Sequence, residues 1–241
     1  MPASTANQVR AALKKTGNPN KAKIYSRFFK TGKGEYGEGD LFYGITVPEQ
    51  RKIAREFFAD LPLAEIRKLL AGKYHEERFT ALEMLVMKFE AAAKSKNTKA
   101  QKEIYEFYLK NTKFINNWDL VDTSAEYIVG AYLLDKPRKI LYTLAKSKDL
   151  WEKRIAMISC FKFIKNNQFD DALKIATILM KDDHDLIHKA VGWMLREIGN
   201  RNLAVERQFL DKHVLNMPRT MLRYAIERFP EKLRLKYLKI K

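Results

Sequence analysis

The chain has 241 residues, long enough for one large domain or for an array of repeats with a continuous core. Hydrophobic content of 46% excludes disorder, and 46 Lys and Arg against 29 Asp and Glu give a formal charge of +17, which makes polyanions the natural partner. The single cysteine, Cys160, excludes an internal disulfide, and no apolar run approaches the ~20 residues of a membrane span, so a soluble cytoplasmic protein in a reducing compartment is expected.

The basic excess is uneven. Residues 1–30 carry seven basic side chains and no acidic one, residues 136–165 nine against two, and residues 201–241 eleven against four. Any single lysine is most simply a solvated helix face. Three separated blocks point instead to a continuous basic groove.

Taken in order, residues 1–20 read as a basic arm or short helix, with Asn18-Pro19-Asn20 as a break. A helix from about Lys21 to Lys30 presents Ile24, Tyr25, Phe28 and Phe29. The stretch Thr31 to Asp40 holds four of the ten glycines and must be a loop, either a plain connection or a mobile element near substrate. No Gly-Lys-Ser/Thr closes it, so it is not a phosphate-binding P-loop. Thr46-Val47-Pro48-Glu49 has capping-box spacing and starts a helix that runs through Phe57. Pro62, Pro137 and Pro218 each precede a helical pattern and Pro230 follows one. Nothing alternates with period two for long enough to be a strand. The expected fold is all-α.

A basic residue opens an apolar helix at Arg78, Arg154, Lys189 and Arg223, and a helix around Trp118 fills the gap between the first two. These five recur at about 35 to 40 residues, the range of one helical hairpin per HEAT-like or armadillo unit, and such hairpins stack into an α-α superhelix. A single domain over residues 1–241 follows, with a concave basic groove lined by the second helix of each pair. Cys160 follows Ile155 and Ile158 in an apolar run and reads as a buried, inert thiol.

Within the central stretch, Trp118, Val121, Ala125, Ile128 and Tyr132 fall at helical spacing and predict one amphipathic helix, with Asn117 as its N-cap. Asp119 then sits in the first turn, where a carboxylate answers the helix dipole and needs no further role. Asp122 is a turn too late for that. A carboxylate beside an indole at the edge of a buried stripe must be solvated or paired, commonly with a basic group on the next repeat. Trp118 and Trp193, read alone, are core residues. His184 and His188 stand at i and i+4, but Asp occupies the position a zincin fills with Glu, and no third ligand is evident; no metal site and no cofactor are expected.

Asn117-Trp118-Asp119-Leu120-Val121-Asp122, Arg154 in Trp151-Glu152-Lys153-Arg154, and Trp193 in the block Lys189 to Glu197 together resemble the DNA alkylation repair protein (AlkD) family, over roughly residues 20 to 230. The resemblance implies HEAT-like repeats and a DNA glycosylase of base excision repair. It implies a monomeric enzyme acting on double-stranded DNA that carries alkylated bases such as 3-methyladenine and 7-methylguanine. It further implies that Trp118 and Trp193 flank the deoxyribose and phosphates of the lesion with Asp122 between them, and that the lesion stays in the duplex. No aromatic base-stacking pocket is evident in the sequence, in keeping with that scheme. Arg154 suits bidentate phosphate contact, with an interhelical salt bridge as the alternative, and Lys189, Arg196 and Arg223 join it as candidate DNA contacts. Phe28 stands where some relatives carry a tyrosine, and the loop after it is longer than theirs.

Two rival functions remain on the residues alone. A non-catalytic DNA-binding repeat protein would keep the basic groove without needing Asp122. A repeat scaffold for protein partners would show an apolar or acidic groove instead.

Overall fold

In the computed structural model, which describes residues 4–240, every regular element is helical, and the described residues contain no strand beyond one isolated bridge between Leu41 and Tyr74. The fold is all-α, as expected. The chain, expected as one domain, divides into two compact units, Met1–Ile128 and Val129–Lys241.

The first unit contains α1 (Ala6–Thr16), α2 (Pro19–Phe28), α3 (Val47–Phe57), α4 (Leu63–Leu70), α5 (His75–Lys94), α6 (Thr98–Lys110) and α7 (Trp118–Asp122). Its axis is α5, against which α3, α4 and α6 all pack. The reason lies in composition: from Phe79 to Val86 the helix is buried on every side, including Thr80 and Glu83. The first twenty residues hold a packed helix. Thr5 forms a capping box with Gln8, and α1 buries Ala6, Val9 and Leu13 while Arg10 pairs with Glu77 of α5 at 2.9 Å. The Thr46–Glu49 capping box is present at the start of α3, which ends at Phe57 as the sequence predicts.

The predicted helix from Trp118 to Tyr132 is interrupted. After the single turn of α7, the Ser124 hydroxyl donates to the Leu120 carbonyl at 2.6 Å, and the chain widens into a π-helix, Glu126–Gly130. Gly130 is required there, because a Cβ on it would lie 2.3 Å from the Ser159 carbonyl oxygen. The apolar stripe survives the break, with Val121, Ala125 and Ile128 fully buried.

The second unit contains α8 (Ala131–Leu133), α9 (Lys139–Ala145), α10 (Leu150–Lys165), α11 (Asp170–Leu179), α12 (Asp185–Gly199), α13 (Leu203–His213), α14 (Arg219–Ala225) and α15 (Glu231–Lys239). Here the repeat is plain: α9 packs on α10, α11 on α12, and α12 on α13, while α10, α12 and α14 lie side by side as one layer. Asp149 caps α10 by accepting from the Trp151 and Glu152 amides. At Gly192 the backbone of α14 comes so close that a Cβ would stand 2.5 Å from the Met221 carbonyl oxygen. Pro230, expected to follow a helix, serves as the N-cap of α15, after the 3-10 turn Ile226–Arg228.

Candidate functional site

The first turn of α5 is His75-Glu76-Glu77-Arg78, four ionisable residues that are all buried. Each is answered. Glu76 accepts from the amides of Tyr43, Gly44 and Ile45, and Glu77 accepts from the Tyr43 hydroxyl at 2.8 Å. Arg78 donates to the Gly72 carbonyl and pairs with Asp40 at 2.6 Å. His75 lies between two carboxylates, with Nδ1 3.3 Å from Asp40 Oδ2 and Nε2 2.8 Å from Asp119 Oδ2. Burial alone would lower the pKa of His75, but the Asp119 charge and the bonds to both carboxylates raise it to about 9. His75 is therefore an imidazolium at neutral pH, donating from both ring nitrogens.

This overturns the reading of Asp119 as a simple helix-dipole residue. Its Oδ1 does accept from the Leu120 amide at 2.9 Å within the first turn, and Asn117 is the N-cap. Its second oxygen, however, holds a buried cation, a tertiary role that spacing within one helix cannot reveal.

Trp118 opens α7 with its indole stacked on Phe29, ring centroids 5.5 Å apart and planes 23° apart. Phe28 meets the same indole edge-on at 5.9 Å and is exposed, so the structure brings these two candidate site residues together. Phe29 also stacks on Phe42 and leans on the His75 ring at 4.7 Å. Tyr25, Phe28, Phe29, Phe42 and Trp118 line a half-open cavity of about 420 Å³, with Gln50 and Asp119 in its wall. The absence of an aromatic pocket, inferred from the sequence, is thus corrected: the rings come from α2, the 29–45 segment and α7, and no local pattern announces their meeting. Asp122, partly exposed, lies one turn along α7 from Trp118 and adds to the burial that raises the pKa of Tyr108.

In the second unit, Lys189, Trp193 and Arg196 share α12, Arg154 is on α10, and Arg223 is on α14, so all five belong to one layer of adjacent helices. Arg154 is 5% exposed, and its Nη1 donates to the Leu186 carbonyl at 2.6 Å, binding α10 to the first turn of α12. Lys189 pairs with Asp185 at 2.7 Å and Arg196 with Glu227. Trp193 is partly exposed, its Nε1 donates to Glu197 at 3.1 Å, and Phe161 packs edge-on against it at 5.6 Å. Arg223 is exposed in the last turn of its short helix and does not open it. His184 caps α12, His188 bonds to the Asp182 carbonyl, and among the described residues no cluster of His, Cys, Asp and Glu could hold a metal ion. No helix among them is long and apolar enough to cross a membrane. Cys160 is fully buried, which pushes its thiol pKa up.

The sequence reading missed His75, Glu76, Asp40 and Gln50. A signal was available for the first two, since four consecutive ionisable residues directly before Phe79-Thr80-Ala81-Leu82 must either be solvated or find partners. Their partners lie 30 or more residues away, so the identities were not legible.

Comparison with known proteins bears on the fold and on the family separately. No curated protein matches the chain. Among solved structures, one described as a "predicted DNA alkylation repair enzyme" from Enterococcus faecalis shares the fold, with a TM-score of 0.66 and 16% identity, covering 90% of this chain and 98% of that one. The family model for DNA alkylation repair enzymes matches residues 9–229, which spans α7 with its Trp118 and Asp122 as well as the α10–α12–α14 layer, and the chain belongs to that family.

Proposed function

We propose that the protein is a DNA glycosylase that removes cationic alkylated purines, such as 3-methyladenine and 7-methylguanine, from duplex DNA. The observation that carries this reading is Asp122, a partly exposed carboxylate one helical turn from a partly exposed Trp118, in a chain of the DNA alkylation repair family. A purine alkylated at N3 or N7 is already positive. When the C1′–N bond breaks, its electron pair goes to the base, which departs neutral without needing an acid, and positive charge grows on the deoxyribose. Asp122 stabilises that charge and orients a water, which adds its oxygen to C1′ and gives up one proton to the carboxylate, from which it passes to solvent. The carboxylate acts on the sugar and makes no demand on the base, so this step can run with the lesion in the stack.

In the first unit Trp118 contributes an apolar face for the sugar, where an indole favours the cationic character of the transition state, and in the second unit Trp193 offers an apolar face to the DNA backbone. Exposed cations such as Arg223 neutralise phosphates. Arg154, whose Nη1 donates to the Leu186 carbonyl, serves DNA binding by fixing the first turn of α12. The test is release of free methylated purines from methylated duplex DNA by the purified protein, resolved by chromatography. A protein that binds such DNA and releases nothing would leave the non-catalytic binder as the better reading.

A further inference from the structure

Asp122 is the last residue of α7, a helix of only five residues, and the chain leaves that turn by widening into the π-helix Glu126–Gly130 instead of continuing as an α-helix. So short a helix does not hold its own shape, because isolated helices below about 12 residues are marginal in water. The direction in which the backbone presents Asp122 therefore depends on anchors outside the turn. The next two residues supply them. Thr123 donates its hydroxyl to Glu83 Oε1 of α5 at 2.5 Å, and the Ser124 hydroxyl lies 3.0 Å from that of Tyr108 on α6. The one hydroxyl proton of Ser124 goes to the Leu120 carbonyl, so Tyr108 is the donor in that pair.

Stability alone does not account for these anchors. Glu83 is 6% exposed in the middle of α5, between the fully buried Leu82 and Met84, and its charge is met by the half-exposed Arg51 of α3 at 3.0 Å. Burying a carboxylate there costs desolvation that an apolar side chain would avoid. Tyr108 is fully buried as well, and Asp122 adds, after burial, to the rise in its pKa. What the two polar groups share is that each fixes a residue directly after Asp122. We propose that Glu83 and Tyr108 are positioning residues for the reaction, acting from two different helices through the hydroxyls of Thr123 and Ser124 to lock the turn that ends at Asp122. The carboxylate is thereby held in one direction before the sugar arrives. The proposal deepens the glycosylase reading and rests on it for the reaction served. A carboxylate that stabilises a developing charge needs such preorganisation, since a misplacement of about 1 Å can cost on the order of 100-fold in rate.

Two measurements on the full chain test it. The first is single-turnover base release from methylated duplex DNA. Thr123→Val removes the hydroxyl at nearly constant volume and should slow release at least about tenfold with DNA affinity within about twofold of wild type, while Thr123→Ser, which keeps the hydroxyl, should retain the rate. Tyr108→Phe should slow release several-fold. The double variant Thr123→Val/Asp122→Asn should be no slower than Asp122→Asn alone, because an anchor that works through Asp122 then has nothing left to place. Release at the wild-type rate by Thr123→Val, an equal loss in Thr123→Ser, or a Thr123→Val defect that persists in full beside Asp122→Asn would each overturn the proposal. The second measurement is amide hydrogen exchange, which needs no activity. The Thr123 and Ser124 amides donate to the Asp119 and Val121 carbonyls, and both should exchange at least about tenfold faster in Thr123→Val and Tyr108→Phe, with the amides of α5 unchanged. If the wild-type protein releases base but these amides exchange as before in both variants, the positioning proposal is wrong and the glycosylase reading stands. If it releases none and the amides do accelerate, the glycosylase reading falls while Glu83 and Tyr108 stand as the anchors of the turn.

Discussion

The Nε2–H of His75 donates to Asp119 Oδ2 over 2.8 Å, joining the first turn of α5 to the first turn of α7 within a site where both side chains are largely buried. This ion pair positions Trp118, since the indole neighbours Asp119 in sequence and rests on Phe29, which itself rests on the His75 ring. A folded-state pKa of about 9 lies above the ordinary histidine value of 6.5. The stability it contributes is therefore complete below about pH 6.5 and is lost as pH rises through 9. The loss over that window should be on the order of 3 kcal/mol at most. Chemical denaturation of the wild type and His75→Gln between pH 6 and 10 checks this, because the variant should lack the decline. Asp119→Asn, which leaves a buried imidazolium short of a partner, should cost roughly 3 kcal/mol at pH 6. A loss below 1 kcal/mol would return Asp119 to a helix-dipole role.

A second pH effect comes from Glu206, in the first turn of α13. Burial raises its pKa from 4.5 to about 8, only partly offset by Arg196, and its Oε1 has no hydrogen-bond partner. The folded chain then holds this proton more tightly than the unfolded one. Stability should decline from about pH 4.5 to 8, by an amount on the order of 5 kcal/mol at most. Glu206→Gln, neutral throughout, should remove that decline and raise the melting temperature most at pH 8. Its window begins two units below that of His75, so the two variants separate the contributions. The single glycine that admits this carboxyl is Gly199, whose Cβ would collide with it.

DNA binding is expected to be nearly independent of sequence and steeply salt-dependent, with log K falling by about 0.9 per neutralised phosphate for each unit of log salt. Arg223→Ala should reduce that slope by about one at little cost in stability, because the side chain is exposed. Arg154→Ala is a poorer probe. It removes the Leu186 carbonyl's donor as well and should destabilise the second unit by about 1 to 3 kcal/mol, read as an earlier unfolding transition. A salt-insensitive complex would remove the electrostatic basis for the assignment.

How much of this was legible depended on the range of each interaction. Capping boxes, proline positions and the helical period are local, and so the all-α fold, the start of α3 and the buried stripe after Trp118 could be read directly. The α10–α12–α14 layer followed from the spacing of Arg154, Lys189 and Arg223, although Arg223 proved to end its helix. The break after Asp122 was not legible, because it turns on which acceptor the Ser124 hydroxyl takes. The aromatic cavity and the Asp40–His75–Asp119 chain were invisible for a related reason. Their members are spread from residue 25 to residue 119, and only tertiary packing makes them neighbours. Trp118 and Asp122 were found through family resemblance, which reads the turn but not its surroundings.

The decisive variant for the chemistry is Asp122→Asn, which keeps size and shape and removes the negative charge. If Asp122 stabilises the sugar cation and orients the water, base release should fall by at least ~100-fold, the usual consequence of losing one positioned electrostatic or acid-base group. Affinity for DNA should hardly change, or should rise slightly, because a carboxylate near phosphates repels them before the sugar becomes positive. Asp119→Asn is not a silent variant. It is expected to lower stability through His75 and to slow release only as far as Trp118 shifts, an effect that should shrink on cooling while the Asp122 defect persists. Single-turnover release from methylated duplex DNA, measured beside the melting temperature of each variant, separates the two. Wild-type release by Asp122→Asn would make Asp122 a structural residue, whereas a defect confined to Asp119→Asn at full stability would move the catalytic carboxylate to the first turn of α7.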